Sequence, residues 1–439
     1  MISRGIRAAA AVLALLWLAQ CAPAGLPPAE VAEERTALAP LFEALYALET
    51  GVRTEPVRIL QLGDSHTAGD RFSGRLRARF QDRFGDAGRG MLPPGVPFDY
   101  YAPTGVGVRQ TGDWTVAGGL KPDGGLLGLS GFRLHSNDPA ASIELTSDTG
   151  FDRASLEIVR RPGGGTLAVR IDGGPERRVP GGAPVVEART IVLDVPFGSR
   201  LLTVRPLGDG PVAILSWTVE RARPGVVLDS HGVVGATAGI GGRWDEATIA
   251  AELAGRRPDL IILAYGTNEG FDDTLDAEAY GARFAGRLRA LEAAAPGAAI
   301  LVVGPPDANR LPRACRSQER EGRSFACVPL NEEERATYAS LLNAGVGGPL
   351  CRWHPPPNLR TVRRAQRAVA EAEGHAFWDW NLAMGGACSI DRWTHTEPPL
   401  AWNDHVHLRP MGYEDSADAL FDRLMAGYER WRSARAPGS

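Results

Sequence analysis

The stretch Arg58-Ile59-Leu60-Gln61-Leu62-Gly63-Asp64-Ser65-His66 joins a short apolar run to a turn. Residues 58–62 predict a buried strand, and Gly63-Asp64-Ser65 predicts a sharp turn at its end. Apolar residues at helical spacing then predict a helix over Arg71 to Phe84. This strand, turn and helix unit is typical of an α/β sheet.

The same alternation of strand and helix resumes after residue 224. Strands are predicted at Val226–Asp229, Leu260–Ala264, Ala299–Val303 and near Phe377-Trp378, and helices at 244–255, Ala277–Ala294, Leu359–Glu373 and Glu414–Trp431. An amphipathic helix is also predicted within Ala29–Glu49, before the first strand. Strands regularly separated by helices favour a doubly wound parallel sheet of five strands, covered on both faces.

Between the two α/β portions the helical periodicity disappears. Short alternating runs take its place, with turn clusters such as Pro162-Gly163-Gly164-Gly165 between them: Ser142–Thr146, Ala154–Val159, Thr166–Ile171, Thr190–Val195, Leu201–Val204 and Val212–Val219. We therefore expect an all-β sandwich module over residues 105–224, inserted into an α/β domain formed by residues 29–104 and 225–439.

The amino terminus has the pattern of an export signal. Arg4 and Arg7 precede eleven apolar residues, Ala8–Leu18, too few for the roughly 20 that span a bilayer. We expect a signal peptide over residues 1–24 and a periplasmic protein. Two processing modes stay open: lipid attachment at Cys21, within a lipoprotein-like box, or ordinary cleavage after Ala22-Pro23-Ala24.

The charge balance argues against a nucleic-acid partner. The 439 residues hold 48 Lys and Arg against 52 Asp and Glu, a formal net charge of −4, and Lys121 is the sole lysine. Such a chain lacks the local basic excess that binding to phosphates requires.

Cys315, Cys327, Cys351 and Cys388 follow the signal segment, an even number in a chain expected to be exported. This pattern favours disulfides, and the spacing is not that of a zinc site. We expect the pairs Cys315–Cys327 and Cys351–Cys388, although four cysteines allow three pairings.

Three short motifs are placed where a doubly wound sheet binds ligands, at the carboxyl ends of its strands. They are Gly63-Asp64-Ser65-His66, Gly266-Thr267-Asn268-Glu269 and Asp404-His405-Val406-His407. In this order they resemble the blocks of the SGNH (GDSL-type) hydrolases, which have a flavodoxin-like α/β fold. Glu269 stands where many members have Asp.

The resemblance implies a role for each matching residue. Ser65 would be the nucleophile, His407 its base, and Asp404 the residue that orients His407. The oxyanion hole would consist of the backbone N–H groups of Ser65 and Gly235 and the side-chain amide of Asn268.

Several residues near the motifs have more than one possible role. His405 competes with His407, but the family spacing of three residues after the aspartate favours His407. His66 and His231 are expected to be structural or to line the substrate site. The tryptophans in the later part of the chain would either line a sugar cleft or pack in the core: Trp378, Trp380, Trp393 and Trp402.

Gln61–Asp70, Gly74-Arg75-Leu76 and Tyr265–Glu269 resemble the peptidoglycan O-acetylesterase branch of this superfamily, which carries an inserted carbohydrate-binding module of family 35 type. The resemblance implies hydrolysis of the acetyl ester on O-6 of N-acetylmuramic acid, with O-acetylated peptidoglycan or a related glycan as partner and no metal or other cofactor. Three alternatives stay open: a periplasmic O-acetyltransferase, an esterase of other acylated substrates, and a wall-binding protein.

Overall fold

The computed structural model describes residues 36–121, 125–343 and 348–435. The predicted signal peptide, including Cys21, lies outside the described residues. The helices of the described chain are α1 (Ala39–Glu49), α2 (Ser65–Ala68), α3 (Arg71–Phe84), α4 (Glu246–Arg256), α5 (Thr267–Gly270), α6 (Ala277–Ala294), α7 (Arg316–Arg320), α8 (Glu332–Ala336), α9 (Tyr338–Leu342), α10 (Pro357–Ala372), α11 (Trp380–Ala383), α12 (Ser389–Thr394) and α13 (Pro410–Arg435).

The strands are β1 (Val57–Gly63), β2 (Gly90–Leu92), β3 (Val106–Thr111), β4 (Thr115–Gly118), β5 (Phe132–Ser136), β6 (Ser142–Phe151), β7 (Arg153–Arg160), β8 (Thr166–Ile171), β9 (Arg177–Pro180), β10 (Glu187–Leu193), β11 (Ser199–Pro206), β12 (Val212–Glu220), β13 (Val226–Gly232), β14 (Leu260–Ala264), β15 (Ala299–Gly304) and β16 (Ala376–Asp379). None of the helices described is long and apolar enough to cross a membrane.

Five parallel strands form the sheet of the α/β domain, in the order β13-β1-β14-β15-β16. The predicted doubly wound five-stranded sheet is confirmed. In chain order the strands run 2-1-3-4-5, the flavodoxin-like order, whose topological switch point lies between β1 and β14. A crevice at the carboxyl ends of these two strands is therefore the expected place for a ligand.

Alternate side chains of β1 enter two different cores. Val57 and Ile59 pack with α1, α3 and α13, whereas Leu60 and Leu62 pack with α4, α6 and α10. Because successive side chains of a strand point to opposite faces, the apolar residues of β1 are buried on both faces of the sheet. The strand is thereby fixed in the middle of the domain.

The β module consists of two antiparallel sheets that share one hydrophobic core, as the predicted sandwich requires. The strand orders are β10-β7-β12-β5-β4 and β3-β6-β11-β8-β9. In addition, β2 pairs with β12. The module's sheets therefore include residues before the expected boundary at 105. The sequence did not indicate this, because a three-residue strand carries too little pattern to be recognised.

The buried carboxylate of Asp70 joins the first α/β unit to the start of the module. It accepts hydrogen bonds from Arg77 and Arg89 at 2.9 Å and from the backbone N–H and hydroxyl of Thr104 at 2.9 and 2.8 Å. Burial alone would raise the pKa of Asp70, but the two guanidinium groups outweigh it and hold that pKa well below its ordinary value. This cluster fixes the chain just after the turn that carries Ser65.

The expected cysteine pairing is wrong. The disulfides are Cys315–Cys351 and Cys327–Cys388, instead of Cys315–Cys327 and Cys351–Cys388. Antiparallel backbone pairing of Arg310 with His354 places the segment before Cys315 beside the segment after Cys351. Separation along the chain does not reveal such tertiary pairing.

Candidate active site

Ser65 lies on a tight corner between β1 and α2. The buried carboxylate of Asp64 accepts a hydrogen bond from the N–H of His66 at 3.0 Å and so caps the short helix that Ser65 begins. A side chain at Gly63 would overlap Thr67 and would place its Cβ 2.8 Å from the carbonyl oxygen of Ala264. Only glycine therefore allows the corner to approach β14 this closely.

Burial changes the ionisation of Asp64. Desolvation raises the pKa of this carboxyl to about 7, although the hydrogen bond from the His66 N–H opposes the change. Asp64 touches the backbone of the corner rather than the Ser65 hydroxyl. This contact therefore positions the corner that carries Ser65.

His407 lies between Ser65 and Asp404 in a continuous chain of hydrogen bonds. The Ser65 Oγ and His407 Nε2 atoms are 3.0 Å apart, and the His407 Nδ1 and Asp404 Oδ2 atoms are 2.7 Å apart. The other Asp404 oxygen accepts the backbone N–H groups of Val406 and His407 at 2.9 Å. These contacts assign the Nδ1–H tautomer, which leaves Nε2 free to accept the serine proton.

The charges of the pair support this assignment. The hydrogen bond to Asp404 raises the pKa of His407, with burial acting in the opposite direction. For Asp404, burial raises the pKa, but the hydrogen bonds from His407 and from the backbone N–H groups outweigh it and lower the pKa. A positive charge that develops on His407 is therefore stabilised by an ionised carboxylate.

The other two expected oxyanion donors follow β13 and β14, the strands that flank β1. Gly235 has a φ of +76°, which favours glycine, and the Asn268 side-chain amide donates to the carbonyl of Ala236 at 2.7 Å. Among the described residues, neither the Ser65 N–H nor the Gly235 N–H donates to a protein acceptor. Because an amide nitrogen carries two hydrogens, Asn268 retains a second donor.

Glu269 supports this side, a role that sequence reasoning did not assign. Its Oε1 accepts the Ala238 N–H at 2.8 Å and holds the segment that follows Gly235. Burial raises the pKa of this carboxyl above its ordinary value. The signal available in the sequence was the position of Glu269 next to Asn268 in the same motif.

His405 is separated from the serine. It adopts a φ of +57°, and its ring stacks on Trp353 with centroids 3.7 Å apart and planes 7° from parallel. Burial lowers its pKa to about 4. The structure therefore connects His407, and not His405, to Ser65.

His66 and His231 are both buried and make no hydrogen bond to Ser65. His66 Nδ1 lies 3.0 Å from the Tyr413 hydroxyl, and the His66 ring packs 5.4 Å from that of His407. Sequence reasoning did not single out Tyr413, although it lies six residues after His407 in the same motif. His231 lies within β13, and no described group bonds its ring nitrogens.

The four tryptophans fall into two groups. Trp378 and Trp380 are buried in the core with Phe72, so packing explains them. Trp393 is partly buried against the same core. Trp402 is 47% exposed, and the backbone N–H of Trp402 donates to the His407 carbonyl at 2.9 Å. Of the four, Trp402 is best placed to contact a substrate.

The family model for the GDSL-like Lipase/Acylhydrolase family matches residues 207–414. This range contains Gly235, Asn268, Asp404 and His407 but not Ser65, which the fold brings to them from before the inserted module. No group of His, Cys, Asp or Glu suited to hold a metal ion occurs within the described part of the chain.

Comparison with solved structures gives a match that extends over nearly the whole chain. It is a peptidoglycan O-acetylesterase, 26% identical, which covers 90% of this chain and 96% of that chain with a TM-score of 0.69. A family two carbohydrate esterase from Cellvibrio japonicus is 13% identical and covers 74% of this chain and 99% of that chain, but its TM-score of 0.28 is too low to support an argument. No curated protein matches the sequence.

Proposed function

We propose that this chain, which belongs to the GDSL/SGNH acylhydrolases and is a carboxylic ester hydrolase, removes O-acetyl groups from cell-wall peptidoglycan at O-6 of N-acetylmuramic acid. The observation that carries the chemistry is the hydrogen-bonded chain from Ser65 through His407 to Asp404. The likeness to a peptidoglycan O-acetylesterase over 90% of the chain supports the substrate class.

The first half of the reaction transfers the acetyl group to the enzyme. His407 Nε2 takes the proton of the Ser65 hydroxyl while Oγ bonds to the acetyl carbonyl carbon. The carbonyl oxygen gains negative charge, which the N–H groups of Ser65, Gly235 and Asn268 stabilise. The bond from this carbon to the sugar oxygen then breaks, and His407 gives its proton to that oxygen.

The second half releases acetate. Water loses a proton to His407 Nε2 as its oxygen bonds to the carbonyl carbon of the acetylated serine. The bond to Oγ breaks, Ser65 regains the proton from His407, and acetate leaves. Throughout both halves Asp404 holds the ring of His407 in position and balances its charge.

We also propose that the enzyme acts in the periplasm, because the sequence predicts a signal peptide. At that location the acetylated polymer would be directly accessible to an exported chain.

Acetate release from O-acetylated peptidoglycan by the purified protein tests the proposal. The matched controls are Ser65→Ala and polymer that has been chemically de-acetylated. Release that requires Ser65 supports the assignment. Cleavage of small acetate esters without release from the polymer would contradict the substrate, and transfer of acetyl to an added glycan in place of water would identify an acetyltransferase.

A further inference from the structure

A cavity of about 870 Å³ adjoins the candidate active site. It lies between the 3₁₀ segment Ala238–Arg243, α4 and α6, and Asn268 and Glu269 also line it. Neither Ser65 nor His407 is among its lining residues. The cavity therefore shares Asn268 with the proposed oxyanion hole but extends away from the reacting serine.

Two arginines that form no ion pair within the described chain face this cavity. Arg283 and Arg287 lie one turn apart on α6, and neither forms an ion pair or hydrogen bond with any described residue. The Arg287 guanidinium lies 5.1 Å from the centre of the Trp244 ring. A side chain at Gly241 would overlap this guanidinium, so the glycine makes room for it.

The donors of the partly buried Arg287 are available to a ligand. Burial lowers the pKa of Arg287, because a guanidinium removed from water loses solvation. Its planar fork of donors suits a carboxylate, which can accept two parallel hydrogen bonds. The cavity thus presents donors that the protein itself leaves unused.

The carboxylates around the cavity do not serve as those partners. Glu269 accepts the Ala238 N–H, and Asp272 accepts the N–H and hydroxyl of Thr274 at 2.9 and 2.7 Å. Glu246 is exposed at the start of α4. None of the three lies within 4.0 Å of an arginine nitrogen of the cavity.

The rest of the lining is largely apolar. Its larger apolar side chains come from α4, α6 and the loop that precedes α6: Ile249, Leu253, Leu275, Phe284 and Leu291. A cavity with two arginines at one wall and aliphatic and aromatic surface elsewhere suits a group that joins a carboxylate to an apolar body.

We infer that this cavity binds a short, carboxylate-bearing peptide attached to the acylated sugar, with a carboxylate on Arg287 and Arg283. The inference rests on the proposed function, since N-acetylmuramic acid carries such a peptide in peptidoglycan. Peptide held beside Asn268 would place the acetyl group of the same sugar near Ser65. The enzyme would then favour peptide-bearing over bare glycan.

Calorimetric titration with a soluble N-acetylmuramoyl peptide tests the binding step. The wild type should bind the compound with free carboxylates about tenfold more tightly than the same compound with its carboxylates amidated. Arg287→Met should abolish that difference. Arg289→Met is the matched control, since Arg289 lies on the same helix, pairs with Glu373 and does not line the cavity.

Gly241→Ala provides a second variant that keeps the charge. Its methyl group displaces the Arg287 guanidinium and should weaken binding of the free peptide to a similar degree. Equal binding of the free and amidated compounds by the wild type would overturn the inference, as would full preference in both Arg287→Met and Gly241→Ala.

A kinetic arm separates this inference from the proposed function. KM is compared for acetylated peptidoglycan and for the same polymer after enzymatic removal of its peptides. We expect Arg287→Met to raise KM about tenfold on the first polymer alone, with kcat retained. An absence of acetate release from either polymer by the wild type would contradict the proposed function, whereas the titration would still decide whether the cavity binds the peptide.

Discussion

The two acidic residues of the active site lie in opposite surroundings: Asp64, beside the serine, is 1% exposed, whereas the side chain of Asp404, beside the histidine, is 48% exposed. The serine side is a close-packed corner at the end of a central strand. The histidine side is a loop near the surface. One site therefore combines a half fixed by the core with a half fixed by a few specific contacts.

The contacts of the histidine loop come from the segment that carries the cysteines. Asn309 donates its N–H to the His405 carbonyl at 2.8 Å, and Trp353 stacks on the His405 ring. His405 Nδ1 lies 3.5 Å from Asp391 of α12, the helix that follows Cys388. The loop thus depends on a part of the chain that the serine corner does not touch.

The largest effect is expected on the serine side. Ser65→Ala removes the nucleophile and should lower kcat/KM on a chromogenic acetate ester by about 10⁴-fold or more. The melting temperature of this variant should stay at the wild-type value, because removal of one hydroxyl oxygen leaves the packing of the corner intact. Ser317→Ala, at an exposed serine outside the site, is the matched control. Retained turnover in Ser65→Ala would remove Ser65 from the mechanism.

Asp404→Asn tests the exposed half of the site. The amide keeps the size of the side chain but cannot balance a charged His407, so kcat/KM should fall by about 10³-fold. The pH dependence gives a second readout. A raised His407 pKa means that the neutral base is lost as pH falls through a value above the ordinary 6.5. The midpoint of this acid limb should move to lower pH in Asp404→Asn.

His405→Asn is the control for the competing histidine. Asparagine tolerates the positive φ at this position, and the variant should stay within tenfold of the wild type. If Asp404→Asn left the acid limb unchanged while His405→Asn moved it, the base would be His405 and the proposed roles would be exchanged.

Asn268→Ala should have a smaller effect, since it removes one of three donors to the oxyanion. Loss of one such donor typically lowers kcat by about 10² to 10³. The change also removes the hydrogen bond to Ala236. Asn268→Asp also loses both donors and adds a negative charge that repels the oxyanion, so it should be at least as inactive as alanine. Near-normal kcat in Asn268→Ala would exclude the side chain from the oxyanion hole.

The contrast between the two sides also explains what could be predicted from the sequence. The serine corner follows from local pattern, because an apolar strand, a glycine and a helix cap determine it within ten residues. Helices Arg71–Phe84 and Ala277–Ala294 were predicted with their observed bounds for the same reason. The hydrogen bonds among Ser65, His407 and Asp404 follow from motif order once the sheet is recognised.

Other features were not predicted, because they depend on tertiary contacts outside the motifs or have a weak local pattern. The cysteine pairs follow the pairing of Arg310 with His354, which no local periodicity encodes. Strands β3, β4, β5 and β9 were also not predicted, since four to six residues with weak alternation resemble loop sequence. The support that Glu269 gives to Ala238 depends on two loops meeting at one edge of the sheet.

The smallest effect on rate is expected from the disulfide that supports the histidine side. Cys327–Cys388 joins residues 61 positions apart, and its loss in the Cys327→Ser/Cys388→Ser variant should cost about 2 to 4 kcal/mol of unfolding free energy. We expect kcat/KM to fall less than tenfold, because the Asp404–His407 contacts are local and the serine corner is untouched.

Cys315→Ser/Cys351→Ser is the matched control, since that bridge does not reach the residue preceding α12. Thermal unfolding and ester hydrolysis would be measured on both variants. A larger rate loss in the control than in the Cys327–Cys388 variant would show that the histidine loop is supported by the Asn309 and Trp353 contacts rather than by α12.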